Sequence, residues 1–406
     1  MTRTAGRGDP RMARQINDRV ALDLLADQGP LTRTQLREIT GLAQPTVIDL
    51  VRRLTDRGLI QEVGQAEAVR PGPRPVLYGL RTGDHLVAAA DFRDNELWAT
   101  VSDVAGGPRH TLSRPQDDTP LPEQISGLIR DVTIAAGRSG ETPVHTVVGL
   151  PGIVDRATGD LGFSWDLPEW RSGMLIPLQE LVGGPVELVT GVRLVALAER
   201  QFLDVPPDTQ YALIWLGVGV GLTVIDNGRP YLGASGAAGQ IGYMPVPGAP
   251  VPPVDRTPSA RDGFRGDFQT LVGSRALRDL GRTQYGLAGR SVKTMITQAT
   301  RGQTPEAEAF LDEVARRIAV GLAAISAVMD PGLFVLHGET GVAGGAHLAA
   351  RVERQLRVCS PLDTRVVAPR FTDWRDAALA GGLRVAKEQG RLLLWGRGPD
   401  RAAHTA

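Results

Sequence analysis

The stretch from Pro30 to Ile60, PLTRTQLREITGLAQPTVIDLVRRLTDRGLI, admits few folds, because it spells two short helices, a glycine turn between them and an apolar strand after them. Thr32 and Gln35 have the spacing of a capping box, and Leu36 and Ile39 follow on one helical face. Gly41 ends that helix. Gln44-Pro45 opens the next, where a proline lacks only an N–H that would be unsatisfied anyway. Val47, Leu50, Val51 and Leu54 form its apolar stripe, and Gln44, Thr46, Asp49, Arg52 and Arg53 occupy the other face. Gly58 to Gln61 then enters a strand, and Tyr78-Gly79-Leu80 returns beside it. This is the outline of a winged helix-turn-helix. Such a second helix fits the major groove of B-DNA, with Gln44 and Thr46 near base edges and Arg52 and Arg53 near phosphates. Thr32, Arg33 and Val47 complete the residues expected to face DNA. The loop Arg70-Pro71-Gly72-Pro73-Arg74-Pro75 is stiffened by proline, so Arg74 suits an A·T-rich minor groove. The same loop also reads as a plain proline linker.

A chain of 406 residues is too long for one ordinary core and calls for two or three units. Its net charge is zero, yet residues 1–82 hold 13 arginines against 9 acidic residues, so the basic surplus coincides with the DNA-binding signal. Lys293 and Lys387 are the only lysines, an arginine bias of the kind a high-GC bacterial genome produces. Cys359 is the sole cysteine, which excludes an internal disulfide or a cysteine-based zinc cluster and fits a reducing compartment. It is expected to be buried and inert. His85, His110, His145, His337, His347 and His404 are scattered without ligand spacing. No run of eighteen apolar residues could cross a bilayer, so a soluble, cytoplasmic protein is expected. Residues 1–13 read as a disordered basic arm, 14–82 as the DNA-binding domain, and 397–406 as a flexible tail.

Beyond residue 82 strands and helices alternate. Strands are expected at 86–91, 96–104, 146–150, 211–216, 221–225, 333–337 and 365–368. Helices are expected at 121–137, 192–203, 373–389 and from Thr304-Pro305 to the Asp330-Pro331 stop. Two strand-led halves, each carrying helices on its sheet, predict an α/β domain over 83–396 with a cleft between lobes. Lobe one covers about 83–190 plus 370–396, and lobe two about 191–369.

Four ordered motifs carry a resemblance: Val148 to Asp155 (VGLPGIVD), Ser164 to Trp170 (SWDLPEW), Leu216 to Gly221 (LGVGVG) and Gly233 to Gly242 (GASGAAGQIG). Together they resemble the ROK family of repressors and sugar kinases. The resemblance implies an actin-like, duplicated ribonuclease-H-type fold, a dimer or tetramer, and, with the N-terminal winged helix, a regulator that responds to a carbohydrate. The glycine run at 217–221 alone is weaker, since alternating glycines also mark close-packed hairpins.

The kinases of the family need glycines and a threonine in the first β-turn so that backbone amides approach ATP phosphates. Here that turn reads Asp91-Phe92-Arg93-Asp94-Asn95. The family's general base sits in a Glu-Asn-Asp motif, and Gly191 occupies its place after Val189-Thr190. Loss of a general base typically costs about a hundred- to ten-thousandfold. Phosphotransfer is therefore expected to be lost, and no cofactor is expected. Where the family has Ala-Gly-Glu-Ile-Gly-His, this chain has Ala238-Gly239-Gln240-Ile241-Gly242-Tyr243, and its cysteine-rich zinc loop is replaced by Pro245 to Gly263, without cysteine or histidine, so no metal is expected.

The remaining effector pocket would comprise Gly152, Ile153, Asp166, Leu167, Thr190, Gly191, Arg193, Gln240 and Tyr243. Arg193 either favours an anionic sugar or pairs with a carboxylate. The expected partners are a palindromic double-stranded operator, a sugar-like effector and a second copy of the chain, because two-fold operators need two recognition helices. An active sugar kinase carrying a DNA-binding module, or an effector-independent DNA-binding dimer, are the alternatives.

Overall fold

A computed structural model of the chain describes residues 10–66, 74–81, 83, 85–93, 96–164, 167, 170, 172–206, 208–246, 267–302 and 304–395. The DNA-binding domain contains α1 (Pro10–Gln28), β1 (Leu31–Thr32), α2 (Arg33–Thr40), α3 (Gln44–Asp56), β2 (Ile60–Gln65) and β3 (Val76–Leu80), with the strands ordered β1-β3-β2. The capping box at Thr32 and Gln35 is present, and Gly41 closes α2 at φ 69°, a left-handed cap that favours glycine. Val47, Leu50, Val51 and Leu54 are buried against Leu22, Leu36 and Tyr78 in one small core. Ile39, expected on the inner face, is instead 48 % exposed. Leu36 alone anchors the short α2. The first helix begins at Pro10, inside the span expected to be a disordered arm; residues 1–9 and 396–406 lie outside the described residues.

The first lobe runs through β4 (Leu86–Arg93), β5 (Glu96–Asp103), β6 (His110–Pro115), α4 (Leu121–Ala135), β7 (Thr146–Leu150), β8 (Ile153–Val154), β9 (Leu161–Phe163), α5 (Leu175–Val182) and β10 (Val186–Thr190). After α6 (Gly191–Glu199), the second lobe contains β11 (Tyr211–Leu216), β12 (Val220–Asp226), β13 (Arg229–Pro230), α7 (Phe268–Val272), α8 (Ser274–Gln284), α9 (Val292–Gly302) and α10 (Pro305–Met329). It closes with β14 (Leu333–His337), α11 (Gly338–Cys359) and β15 (Arg365–Val367), and α12 (Trp374–Trp395) ends the described chain.

The two five-stranded sheets repeat one plan. The first has the order β10-β7-β4-β5-β6 and the second β13-β12-β11-β14-β15. In each, three antiparallel strands are joined by two parallel ones: Ala88–Asp91 pairs in parallel with Thr146–Gly149, and Ala212–Trp215 with Phe334–His337. This duplication is the expected actin-like architecture. Within the second lobe, Thr304 caps α10 by accepting from the Ala307 amide at 3.3 Å, and Asp330 ends it in the left-handed region. Phe310, Leu311, Val314 and Ile318 of α10 are fully buried. Cys359, expected in the core, is exposed at the end of α11, where the apolar face has already ended at Leu356.

The last helix links the parts of the molecule. It lies along α6 and the first sheet, and the packing is tight enough that a Cβ on Gly381 would meet the Leu194 carbonyl. Its final residue, Trp395, packs against the core of the DNA-binding domain. There the guanidinium carbons of Arg19 and Arg391 lie 5.5 and 5.6 Å from its ring centroid, and Arg391 pairs with Asp27 of α1 at 3.8 Å. Among the described residues no helix is long and apolar enough to cross a membrane.

Candidate DNA-binding surface and inter-lobe cleft

The outward face of α3 presents Gln44, Pro45, Ile48, Asp49 and Arg52 around one shallow hollow. Gln44 is exposed and Thr46 half-buried at the helix start. Arg52 donates to Asp49 at 2.6 Å with its side chain 70 % exposed. Arg33 is exposed, and its guanidinium carbon lies 5.0 Å from the Tyr78 ring centroid. Arg74 is exposed at the foot of the wing, whose residues 67–73 fall outside the described ones.

Three expected DNA contacts have other roles. Val47 is only 2 % exposed, since it belongs to the apolar stripe of α3. Thr32 is buried, and its hydroxyl accepts the Gln35 amide at 3.2 Å as the helix cap. Arg53 turns inward, donating to Asp18 of α1 at 2.6 Å and to Asp49, so it joins helices instead of reaching for phosphate. Burial would lower its pKa, but the hydrogen bonds and charges of Asp18 and Asp49 hold it above the ordinary arginine value. For Asp49 slight desolvation works upward, and the bonds and charges of Arg52 and Arg53 override it, leaving a carboxyl below its usual 3.8. Its negative charge is thus absorbed by two arginines on the face that DNA would meet.

In the cleft the ends of β4, β7 and β10 converge on the start of α6. Thr190 donates to the Gly152 carbonyl at 3.1 Å, which joins the two glycine-bearing turns. The side chain of Asp91 stands over Gly149, leaving no room there for a Cβ. A Cβ on Gly191 would come within 3.0 Å of Nη2 of Arg93, closer than real Cβ contacts, and 3.4 Å from Oδ2 of Asp91. Arg93 therefore occupies the corner that a side chain at position 191 would need. Two aromatic faces hold it there, with its guanidinium carbon 4.7 Å from the Trp215 ring and 4.5 Å from the Trp374 ring. Trp215 in turn stacks on His337 at 5.5 Å. The expected obstruction of the phosphate turn is thus joined by a filling cation, while Asp94 and Asn95 lie outside the described residues.

Arg193 follows neither expected course. It is 8 % exposed and donates to the Gly236 carbonyl, and burial pushes its pKa below the ordinary value. Among the described residues no carboxylate pairs with it, and its reach is spent on fastening the 233–239 loop to α6. A second clasp comes from Arg156, whose Nη1 donates to the Gly233 carbonyl at 3.2 Å. Leu167, expected to line the pocket, is 1 % exposed and belongs to the first lobe's core. Asp166 lies outside the described residues. Asp160, a residue sequence reasoning passed over, accepts from Trp170 Nε1 at 3.0 Å and from the Leu161 amide at 2.7 Å. Gln240 and Tyr243 remain exposed just beyond the fastened loop. Gln269 brackets the glycine run at 217–221, accepting from the Val220 amide and donating to the Val218 carbonyl. The structure thus brings Gly152, Thr190 and Gly191 together with Asp91 and Arg93 of the altered turn, and Trp215 and Trp374 join them unforeseen. Among the described residues no group of three His, Cys, Asp or Glu side chains is placed to hold a metal.

Comparison with known proteins assigns both parts. Residues 94–388 match the model of the ROK family, and residues 14–61 match a winged helix-turn-helix DNA-binding model. The chain is 24 % identical to the DNA-binding transcriptional dual regulator NagC of Escherichia coli over 348 residues, 82 % of either chain. It is similar in fold to a solved ROK family transcriptional regulator, a homologue of the E. coli MLC protein, with TM-score 0.71 and 19 % identity over 95 % of this chain and 99 % of that one. A ROK glucokinase from Streptomyces griseus, solved with glucose and AMPPNP, matches with TM-score 0.58 and 22 % identity, covering 75 % of this chain and 99 % of its own.

Proposed function

The chain belongs to the ROK family, and from that premise we propose that it is a DNA-binding transcriptional repressor whose kinase-like domain senses a carbohydrate or carbohydrate derivative without phosphorylating it. The observation that carries this reading is the pairing of an outward-facing recognition helix with a catalytic corner closed by Arg93 over Gly191. Glycine at position 191 supplies no proton acceptor, and the guanidinium leaves no volume for one. The relatedness to NagC over both domains supports the regulatory half. A polar ligand would meet Gly152, Thr190, Gln240 and Tyr243, whose amide and hydroxyl groups suit sugar hydroxyls. The protein would act in the cytoplasm as a dimer or tetramer, which supplies two recognition helices to a two-fold operator.

The proposed mechanism is a shift of population between lobe arrangements. Gly191 begins α6 in the cleft, α6 lies along α12, and α12 runs about 33 Å at 1.5 Å per residue from Trp374 in the cleft to Trp395 against α1. An effector that favours one setting of the lobes therefore acts on the seating of the DNA-binding domains. Selection of duplex sequences by the full chain, followed by titration of the bound complex with a sugar panel, tests the reading. A selected site released by one sugar class supports it, and no enrichment of any duplex at low salt refutes it. ATP turnover above background with any sugar would refute the loss of phosphotransfer.

A further inference from the structure

We propose that Ile48 reads the C5-methyl group of a thymine in the major groove, within two base pairs of the one contacted by Gln44. The inference rests on the DNA-binding reading above and adds to it a base and a position. The aliphatic residues of α3 divide sharply. Val47, Leu50, Val51 and Leu54 are 2 % exposed or less, whereas Ile48 is 45 % exposed on the polar face. Together with the ring of Pro45, one helical turn back, it makes an apolar notch between Gln44 on one side and Asp49 and Arg52 on the other.

In the major groove only thymine offers an apolar group, so an exposed isoleucine on a recognition helix has one specific base-edge partner among the four. The surroundings suit that partner. Gln44, Ile48 and Arg52 recur every fourth residue and form one line along the helix. Gln44 has the donor and acceptor that match adenine N7 and N6, and Arg52, bonded to Asp49 but 70 % exposed, lies on the side where phosphates pass. The one carboxylate in the hollow, Asp49, is held by Arg52 and Arg53 and does not present a bare negative charge to the duplex. Four residues of helix advance about 6 Å, less than two base-pair steps. The thymine read by Ile48 therefore lies within two base pairs of the position read by Gln44.

The test uses the full chain and its selected operator. Each thymine is replaced singly by deoxyuridine, which removes the methyl and leaves the hydrogen-bonding edge intact, and binding is followed by fluorescence anisotropy. Burial of one methyl-sized group is worth about 0.8 kcal/mol, or roughly fourfold in affinity. One thymine per half-site should therefore weaken binding by about fourfold when demethylated, with other thymines near neutral. Ile48→Ala should weaken the parent operator by a similar factor and abolish the difference between thymine and uracil there. Ile48→Val, which keeps a branched apolar end, should retain part of it. Gln44→Ala should relax a different position no more than two base pairs away. If the wild-type chain binds its operator and no deoxyuridine matters, or if Ile48→Ala keeps the full methyl effect, the assignment is wrong while the regulator reading stands. If no duplex is bound at all, the broader reading is what fails.

Discussion

Gly191→Ala should be tolerated or rejected according to what stands at position 93. The added methyl group collides with Nη2 of Arg93, whereas its other near neighbour, Asp91 Oδ2, is at an ordinary 3.4 Å. Because the colliding atom is the far end of a flexible side chain, the backbone has no need to move. Arg93 must instead leave the faces of Trp215 and Trp374. A cation over an aromatic face contributes about 0.5–1 kcal/mol when partly solvated, so displacing it from two costs about 1–2 kcal/mol. Against this, alanine is better than glycine in a helix by about 0.5–1 kcal/mol in an interior and by less in the first turn. Gly191→Ala should therefore destabilise the wild-type chain by about 1 kcal/mol and slightly stabilise the Arg93→Ala chain. Urea unfolding of the four proteins in this cycle, followed by circular dichroism, measures the coupling, expected at about 1–2 kcal/mol. If the alanine has the same effect in both backgrounds to within about 0.3–0.5 kcal/mol, Arg93 does not occupy this corner and the argument against phosphotransfer loses its steric half.

Arg52→Ala should weaken binding to all duplexes and reduce the slope of log K against log salt by about 0.9, the signature of one lost phosphate contact, as read by anisotropy across a salt series. Arg53→Ala should leave that slope alone and lower stability by about 1 kcal/mol, since it removes the tie to Asp18 and Asp49. The carboxyl of Asp49 is depressed in the folded state, so its ion pairs stabilise the fold above the unfolded value of 3.8 and are lost as pH falls through the lower folded value. The melting-temperature difference between wild type and Asp49→Asn should thus be flat from about pH 5 to 8 and collapse below 3.8. Trp395→Ala should preserve operator binding and blunt its response to an effector, and an unchanged response would remove α12 from the route.

The helix-turn-helix was legible because its signals are local: a capping box, a glycine cap and a stripe of four apolar residues each depend on neighbours within one helical turn. The duplicated lobes were legible from apolar strands and from motif order. Side-chain assignments failed where a residue's partner is remote in sequence. Arg53 looked like a phosphate contact because nothing near it in the chain announces Asp18, 35 residues back. Arg193 looked like an anion receptor or the partner of a carboxylate because its acceptor is a backbone carbonyl 43 residues away, and backbone atoms leave no trace in sequence. Ile48 was passed over for the opposite reason: a helix already supplied with an apolar stripe gave no cause to ask which face a fifth aliphatic residue takes.

The cleft is packed at the position where Gly191 carries no side chain. A glycine at position 191 leaves space next to Asp91 at the start of α6, and an unfilled void would forfeit packing. Arg93 fills that space from the end of β4, so one side chain occupies both the first β-turn and the start of α6. The filling also has a mechanical consequence. Arg93 belongs to β4 in the first lobe, Trp215 to β11 in the second, and Trp374 to the helix that reaches the DNA-binding domain. A ligand that shifts the lobes must slide this cation relative to at least one ring, and the ring on α12 is joined through one continuous helix to Trp395 and α1. On the proposed reading, the contacts that oppose phosphotransfer are the same contacts through which occupancy of the cleft would be felt at the DNA-binding domain.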